Sequence, residues 1–211
     1  MACDARLERE LLVRGFRLVA GVDEVGRGAL AGPVVAAAVI LNLDDLPAGL
    51  NDSKQLSKRQ RERFFTQLQQ CAQAFSIARI EPHEIDRINI HRASLQAMAQ
   101  AIKALPLLPD YVLIDGRHQV PDLSCSQRSI IKGDGLSVSI ASASIIAKVT
   151  RDELMCKYDE EFPGYGFSAH VGYGTKAHKA AVARLGPSPI HRLTFQGVRP
   201  SQLTLGFVES P

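Results

Sequence analysis

Cysteine is sparse and scattered in this chain. The four that occur, Cys3, Cys71, Cys125 and Cys156, form no CxxC pair in 211 residues, which argues against a zinc knuckle or a disulfide framework and fits a reducing cytoplasm. Long apolar runs are missing as well. No stretch nears the ~18 apolar residues of a membrane span, and "MACDARLERELLVRG" carries acids where a signal peptide needs an apolar core. Neither sign of charge dominates: a net charge of +3 and a pI near 8.7 permit a polyanionic partner without requiring one. Internal repeats, low-complexity blocks and an interdomain linker are also lacking. What remains is an ordinary globular composition, long enough for one well-buried core. The expectation is a soluble, cytoplasmic monomer.

Apolar runs and helical stripes alternate along the chain. An amphipathic start over about residues 5–14 leads into "FRLVAGVDEVG", whose apolar run before Asp23 predicts a buried strand; "PVVAAAVIL" (33–41) predicts a second. From Ser57, a plausible N-cap, Phe64, Phe65, Leu68, Cys71 and Ala72 recur at helical spacing. "SIARIEP" (76–82) reads as a strand. Pro82 then stands near the start of a helix striped with Ile85, Ile88, Leu95, Met98 and Ile102. "YVLIDG" (111–116) and "RSIIKGDG" (128–135) read as strands that end in acid-glycine turns, and the small-residue run beginning "SVSIASAS" predicts a helix packed close to a sheet. Beyond Pro163, "KAHKAAVARLG" is a short helix. Strands alternating with helices make the fold class α/β.

The stretch "GVDEVGRG" (21–28) sets two acids beside a glycine-arginine-glycine corner. A dinucleotide-binding loop is the first reading of the glycines, with Asp44-Asp45 as the ribose contact. The fifteen residues between Gly28 and Asp44 cannot hold the helix, loop and strand that such a unit needs.

The alternative makes the acids the chemical centre. Side chains of consecutive strand residues point to opposite faces, so Asp23 and Glu24 share a side only if the strand ends there. Taken singly, Asp115 is a turn residue, Asp134 a turn or helix N-cap, and an Asp-Glu pair ordinary surface. Taken together, four acids at strand ends could converge on one rim. Packed carboxylates repel, and divalent cations with oxygen ligands neutralise them. Two such cations can clamp a phosphodiester.

The motifs "AGVDEVGRG", "LNDSKQLS", "EPHEIDRINI", "YVLIDG", "IKGD", "SASIIAKVTRD", "YGFSAHVGYGTKAH" and "HRLTF" occur in that order over roughly residues 18–196. The chain resembles the ribonuclease HII family, the type 2 ribonucleases H. The resemblance implies a ribonuclease H-like fold: a mixed central sheet flanked by helices over 1–162, a small helical extension over 163–198, and a tail over 199–211. It implies dependence on Mg²⁺ or Mn²⁺, and endonucleolytic hydrolysis of RNA in RNA–DNA hybrids and at single ribonucleotides in duplex DNA, by two metal ions, giving 5′-phosphate and 3′-hydroxyl ends. Carried over by position, Asp23, Glu24, Asp115 and Asp134 fall on the family's catalytic, metal-binding acids. Gly26, Arg27 and Gly28 fall on its ribonucleotide-reading turn, where glycine allows close backbone approach. Tyr173 falls on the tyrosine that senses the 2′-hydroxyl. Ser53 and Lys54 look like phosphate contacts. Lys58, Arg59, Arg61 and Arg63 add nonspecific attraction to a duplex or form a merely solvated helix face. Thr194 replaces a frequent serine and Ser142 a commoner alanine, and neither touches the acids.

A noncatalytic hybrid-binding module is the rival reading, and the acids speak against it, because binding alone needs basic residues. The tail "QLTLGF" (202–207) resembles the peptides by which bacterial DNA-maintenance proteins bind the sliding clamp, with Gln202, Leu203, Leu205 and Phe207 as contacts. The competing expectation is that these residues pack on the protein's own core.

Overall fold

The computed structural model describes residues 3–51 and 53–198. Its five strands are β1 (Val19–Val25), β2 (Val34–Leu41), β3 (Ala72–Ile80), β4 (Tyr111–Asp115) and β5 (Ser126–Ile130). Its helices are α1 (Arg6–Val13), α2 (Lys58–Cys71), α3 (Pro82–Ile88), α4 (Ile90–Lys103), α5 (Val138–Glu161), α6 (Phe167–His170) and α7 (Lys176–Leu185). The sheet runs β3-β2-β1-β4-β5, antiparallel on the β2 side of β1 and parallel on the β4 side. It is the mixed sheet flanked by helices that the sequence implies.

β1 lies in the middle because Val19–Val22 are buried on both faces. Ala20 and Val22 face α4, in one cluster with Ala36, Ala38, Ala97, Met98 and Ile114. The other face belongs to α5, whose Ala141, Ile145 and Ile146 meet Val35, Ala37 and Val39 of β2, with Phe64 and Leu68 of α2 behind them. The alanines of β2 let helices approach both sides of one strand. Gly21 does the same for β1: a Cβ there would fall onto the Ser139 backbone at the start of α5. Residues Val138–Ala147 of α5 are buried all round, which suits a run of serine, alanine and isoleucine. Each buried valine or isoleucine of that run contributes ~1.5–3 kcal/mol by leaving water.

Four boundaries differ from the sequence expectation. β3 starts at Ala72 with no intervening loop, not near 76, because one of its faces is largely exposed and its apolar signal thins at Gln73. Pro82 is the first residue of α3, the helix start that the sequence offers, and the strand expected over 76–82 ends before it, at Ile80. The single helix expected after it is two, broken at Asn89, which takes φ 70° and whose side chain accepts the Arg92 N–H at 3.1 Å, capping α4. Likewise β5 ends at Ile130, before a turn at Lys132 (φ 57°) leads into the 3-10 turn Gly133–Gly135. Among the described residues none of the four cysteines forms a disulfide.

Candidate active site

The acids gather at the ends of β1 and β4. β1 continues through both Asp23 and Glu24, which pair with Ala37 and Ala36 of β2. The pair therefore straddles the sheet: by alternation Asp23 shares the α5 side with Gly21, and Glu24 the α4 side with Val22. The glycines that follow do not end the strand early enough to turn both acids one way. Asp115 is the last residue of β4, the strand beside β1. Asp134 sits on the 3-10 turn and is 4% exposed.

Hydrogen bonds fix each carboxylate. Asp23 Oδ1 accepts the Glu24 N–H at 2.7 Å, and Asp23 also accepts from the Ser144 hydroxyl. Asp115 Oδ1 accepts the Gly133 N–H at 2.7 Å, tying the end of β4 to the turn that carries Asp134. Arg27 Nη1 donates to Glu24 Oε1 at 2.8 Å, and the Lys54 ammonium pairs with Asp134. Burial pushes the Asp23 carboxyl well above the usual carboxylate range, and the charges of Glu24 and Asp115 push it further. Burial also raises Glu24, against the pull of Arg27, and raises Asp115, where Asp134 adds to it. This is a site that carries more negative charge than its surroundings stabilise.

Such a site fits hard divalent cations. All four donors are carboxylates, and Glu24 Oε2 is buried with no hydrogen-bond partner. Among the described residues no three His, Cys, Asp or Glu side chains form a ready-made metal cluster. The arrangement explains this: Glu24 comes from the opposite face, held by Arg27, and Asp134 is engaged by Lys54.

The turn beside the acids is held from behind by two arginines that the sequence reading left unused. Arg151 and Arg192 are fully buried and form no ion pair among the described residues. They donate to carbonyl oxygens instead. Arg151 reaches Pro33 (2.9 Å), Val171 (2.8 Å) and Ala31 (3.1 Å). Arg192 reaches Gly32 twice (3.0 and 2.8 Å) and Arg27 (2.9 Å). Hydrogen bonds from a charged donor are worth ~1.5–3 kcal/mol each, so the five that land on residues 27–33 make that stretch a rigid ledge, and the sixth ties Val171 to it. Burial and the neighbouring Arg151 push Arg192 down to about 9, and its guanidinium stays charged at neutral pH. Both residues lie inside or beside motifs quoted above, "KVTRD" and "HRLTF", but arginine in a motif reads as a surface or ligand contact.

Gly26 and Gly28 differ in what they are for. Gly26 has φ +90°, and a Cβ on it would overlap the Arg151 guanidinium. At Gly28 a Cβ would meet only the Tyr173 ring, at 4.0 Å. Packing therefore demands the first glycine and not the second. Tyr173 pairs with Ala29 in an isolated bridge, leaves 36% of its surface exposed, and lies with its ring 5.7 Å from the Arg151 guanidinium carbon. Ser53 is buried, its hydroxyl 2.8 Å from that of Ser144. It therefore connects to Asp23 through Ser144. Arg61 turns back to the carbonyls of Ser53 and Leu56, bracing the Lys54 turn.

A carboxylate rim on a ribonuclease H-like sheet, with a backbone ledge and a basic flank, defines a metal-dependent nuclease. The ribonuclease HII family profile matches residues 20–198. A ribonuclease HII of Geobacter sulfurreducens is 57% identical over 187 residues, covering 88% of this chain and 85% of that protein. Another, of Bacillus licheniformis, is 53% identical over 192 residues, covering 91% and 74%. The crystal structure of ribonuclease H2 from Pyrococcus horikoshii superposes with a TM-score of 0.74 at 26% identity, over 87% of this chain and 96% of that one. Ribonuclease HII of Archaeoglobus fulgidus, solved in complex with PCNA, superposes at 0.73 and 25% identity, over 89% and 98%. The chain belongs to the ribonuclease HII family, endonucleases that hydrolyse the RNA of RNA–DNA hybrids with divalent metal. No helix among the described residues is long and apolar enough to cross a membrane.

Proposed function

We propose that this chain cuts at single ribonucleotides embedded in duplex DNA as well as within hybrids, leaving 5′-phosphate and 3′-hydroxyl ends. The observation that carries the reading is the rim of mutually repelling carboxylates, Asp23, Glu24, Asp115 and Asp134, set against the 26–28 turn. These four would hold two Mg²⁺ or Mn²⁺ ions, which when bound neutralise the rim, activate water and stabilise a leaving oxygen.

The chain's own residues supply recognition. The backbone of Gly26, Arg27 and Gly28 faces the 2′-hydroxyl, and Gly28 leaves the gap through which a ribose can approach that backbone. Tyr173, across that gap, packs on the adjoining sugar and senses the same hydroxyl. Lys54 moves from Asp134 to a phosphate as the rim is neutralised, while buried Ser53 supports Ser144 and through it Asp23. The exposed Lys58, Arg59 and Arg63 on α2 add attraction that falls with salt. A sliding clamp is the protein partner in this reading, bound through Gln202, Leu203, Leu205 and Phe207, which lie outside the described residues. The Archaeoglobus relative bound to PCNA supports it.

The test is a DNA duplex with one ribonucleotide. The protein nicks it only with Mg²⁺ or Mn²⁺, and Asp23→Asn binds without cutting. Tyr173→Phe loses more cleavage than affinity, because phosphate contacts supply most of the affinity. Cleavage without metal sinks the mechanism, and binding without turnover across several metals favours a binding module.

A further inference from the structure

Behind Tyr173 lies a chain of hydrogen bonds whose proton positions are fixed at both ends. The Ser188 backbone N–H donates to His191 Nδ1 at 2.9 Å, with the Ser188 hydroxyl 2.8 Å from the same nitrogen. That nitrogen is therefore an acceptor, and the His191 proton is on Nε2. At the other end the Tyr173 carbonyl can only accept, so His178 Nδ1, 3.0 Å away, carries the proton there. His178 Nε2 is then an acceptor, and it lies 3.0 Å from His191 Nε2, the donor. The polarity runs one way: Ser188 to His191 to His178 to the Tyr173 carbonyl. Both rings are buried.

The third histidine obeys the same logic. His170 donates from Nε2 to the Tyr165 carbonyl at 2.9 Å, accepts the Gly172 N–H on Nδ1 at 3.2 Å, and stacks on His178 at 4.3 Å between centroids. No ring nitrogen of the three is spare, so a proton added to any of them meets a donor already in place. Other charged groups face the cluster: Arg151, bonded to the Val171 carbonyl; Arg192, next to His191; and Asp159, which accepts from Phe167 N–H and the Ser168 hydroxyl. Lys179 follows His178 on α7 and lays its methylenes against Gly174. The Tyr165 and Phe167 rings close the cluster at 5.1 and 5.6 Å from His191.

The relay joins the segments that frame the site. Leu30 N–H donates to the Gly172 carbonyl at 2.8 Å, Gly32 N–H to Ile190 at 2.8 Å, and Arg192 N–H to Leu30 at 2.8 Å, while Ala29 bridges to Tyr173 and Ala31 to His191. We propose that His178 and His191 are positioning residues: as a neutral pair of fixed tautomers they set the distance between the Tyr173 ring and the 26–28 turn, and so the preference for a lone ribonucleotide. The inference rests on the proposed role of Tyr173.

Two measurements test it. The first is the ¹⁵N spectrum of the imidazoles in the wild-type protein at neutral pH. The expected result is His178 protonated on Nδ1 and His191 on Nε2, and the opposite tautomer at either ring overturns the relay whether or not any variant folds. The second compares a single-ribonucleotide duplex with a continuous hybrid. His191→Phe is expected to lower kcat on the single-ribonucleotide duplex about tenfold with KM little changed, and to affect the hybrid far less. His191→Gln, which keeps a donor toward His178, is expected to restore most of that kcat. Equal losses on both substrates, or no rescue by glutamine, overturn the positioning role. Tyr173→Ala separates the two failures. If it leaves the substrate preference intact, the reading of Tyr173 has failed; if it abolishes the preference while the histidine variants do not, only the relay has.

Discussion

The Arg151 guanidinium fills the space into which a side chain at Gly26 would project. Two residues on, the equivalent space at Gly28 is bounded only by the Tyr173 ring. Gly26→Ala is therefore expected to destabilise the fold by about 1–3 kcal/mol, since it combines a clash with a positive φ. Gly28→Ala is expected to leave stability within about 0.5 kcal/mol and to lower cleavage at a single ribonucleotide by up to about 100-fold, the cost of displacing a reacting group by an ångström. Thermal melts alongside nicking assays separate the two. A loss of stability at Gly28 equal to that at Gly26 contradicts the division of roles.

Neutralising the rim should strengthen the folded state. Burial and the charges of Glu24 and Asp115 raise the Asp23 carboxyl, so the folded state holds that proton more tightly than the unfolded one, and stability falls as pH rises from the ordinary carboxylate value toward the raised one. Asp23→Asn removes this cost and is expected to raise stability by about 0.5–2 kcal/mol in EDTA while abolishing cleavage. Added Mg²⁺ raises the wild-type Tm, because it binds the folded state alone, and raises that of the variant less. Calorimetry with and without metal reads both effects.

On the acid side the sign comes from the histidines. Burial and the neighbouring His178 push His191 down to about 4, and burial lowers His178. A depressed histidine gives its full stability above its unfolded value near 6.5 and loses it as pH falls toward 4, because the unfolded chain takes up the proton first. The Tm of the wild type is expected to fall across that window more steeply than that of His191→Gln. Parallel Tm-against-pH curves would exclude His191 as the group responsible.

The tail prediction is independent of the catalytic rim. A peptide of residues 199–211 is expected to bind a bacterial sliding clamp, weakly because ordering it costs entropy. Leu205→Ala with Phe207→Ala removes that binding and leaves cleavage of a short duplex unchanged. Joint loss of thermal stability and activity in the double variant shows instead that the tail packs on the enzyme.

Much of the fold was legible because burial writes itself into composition. The runs ending at Asp23 and Asp115 mark strands that meet at one rim, and the serine-alanine run marks the helix behind them. The break at Asn89 was hidden because the apolar stripe through Ile85, Ile88, Leu95 and Met98 runs on across it. The facing of Asp23 and Glu24 was half legible: alternation separates them, but only the register shows β1 carrying both to its end. Arg151, Arg192, His178 and His191 were illegible as supports, since a buried polar side chain looks like any surface residue until its carbonyl partners, many positions away in sequence, are in place.

Glu8 of α1 is buried and accepts from the Ser139 N–H at 3.0 Å and from the Ser137 and Ser139 hydroxyls, at the start of α5. These bonds span about 130 residues of sequence. Leu11 of α1 packs on Val19 of β1 and on Tyr111 and Leu113 of β4, but the Glu8 bonds wait until α5 has been made. Glu8 is thus a late-closing latch, and contacts so distant in sequence slow folding. Glu8→Gln should delay the final phase of refolding and leave the early assembly of β1 and β2 untouched.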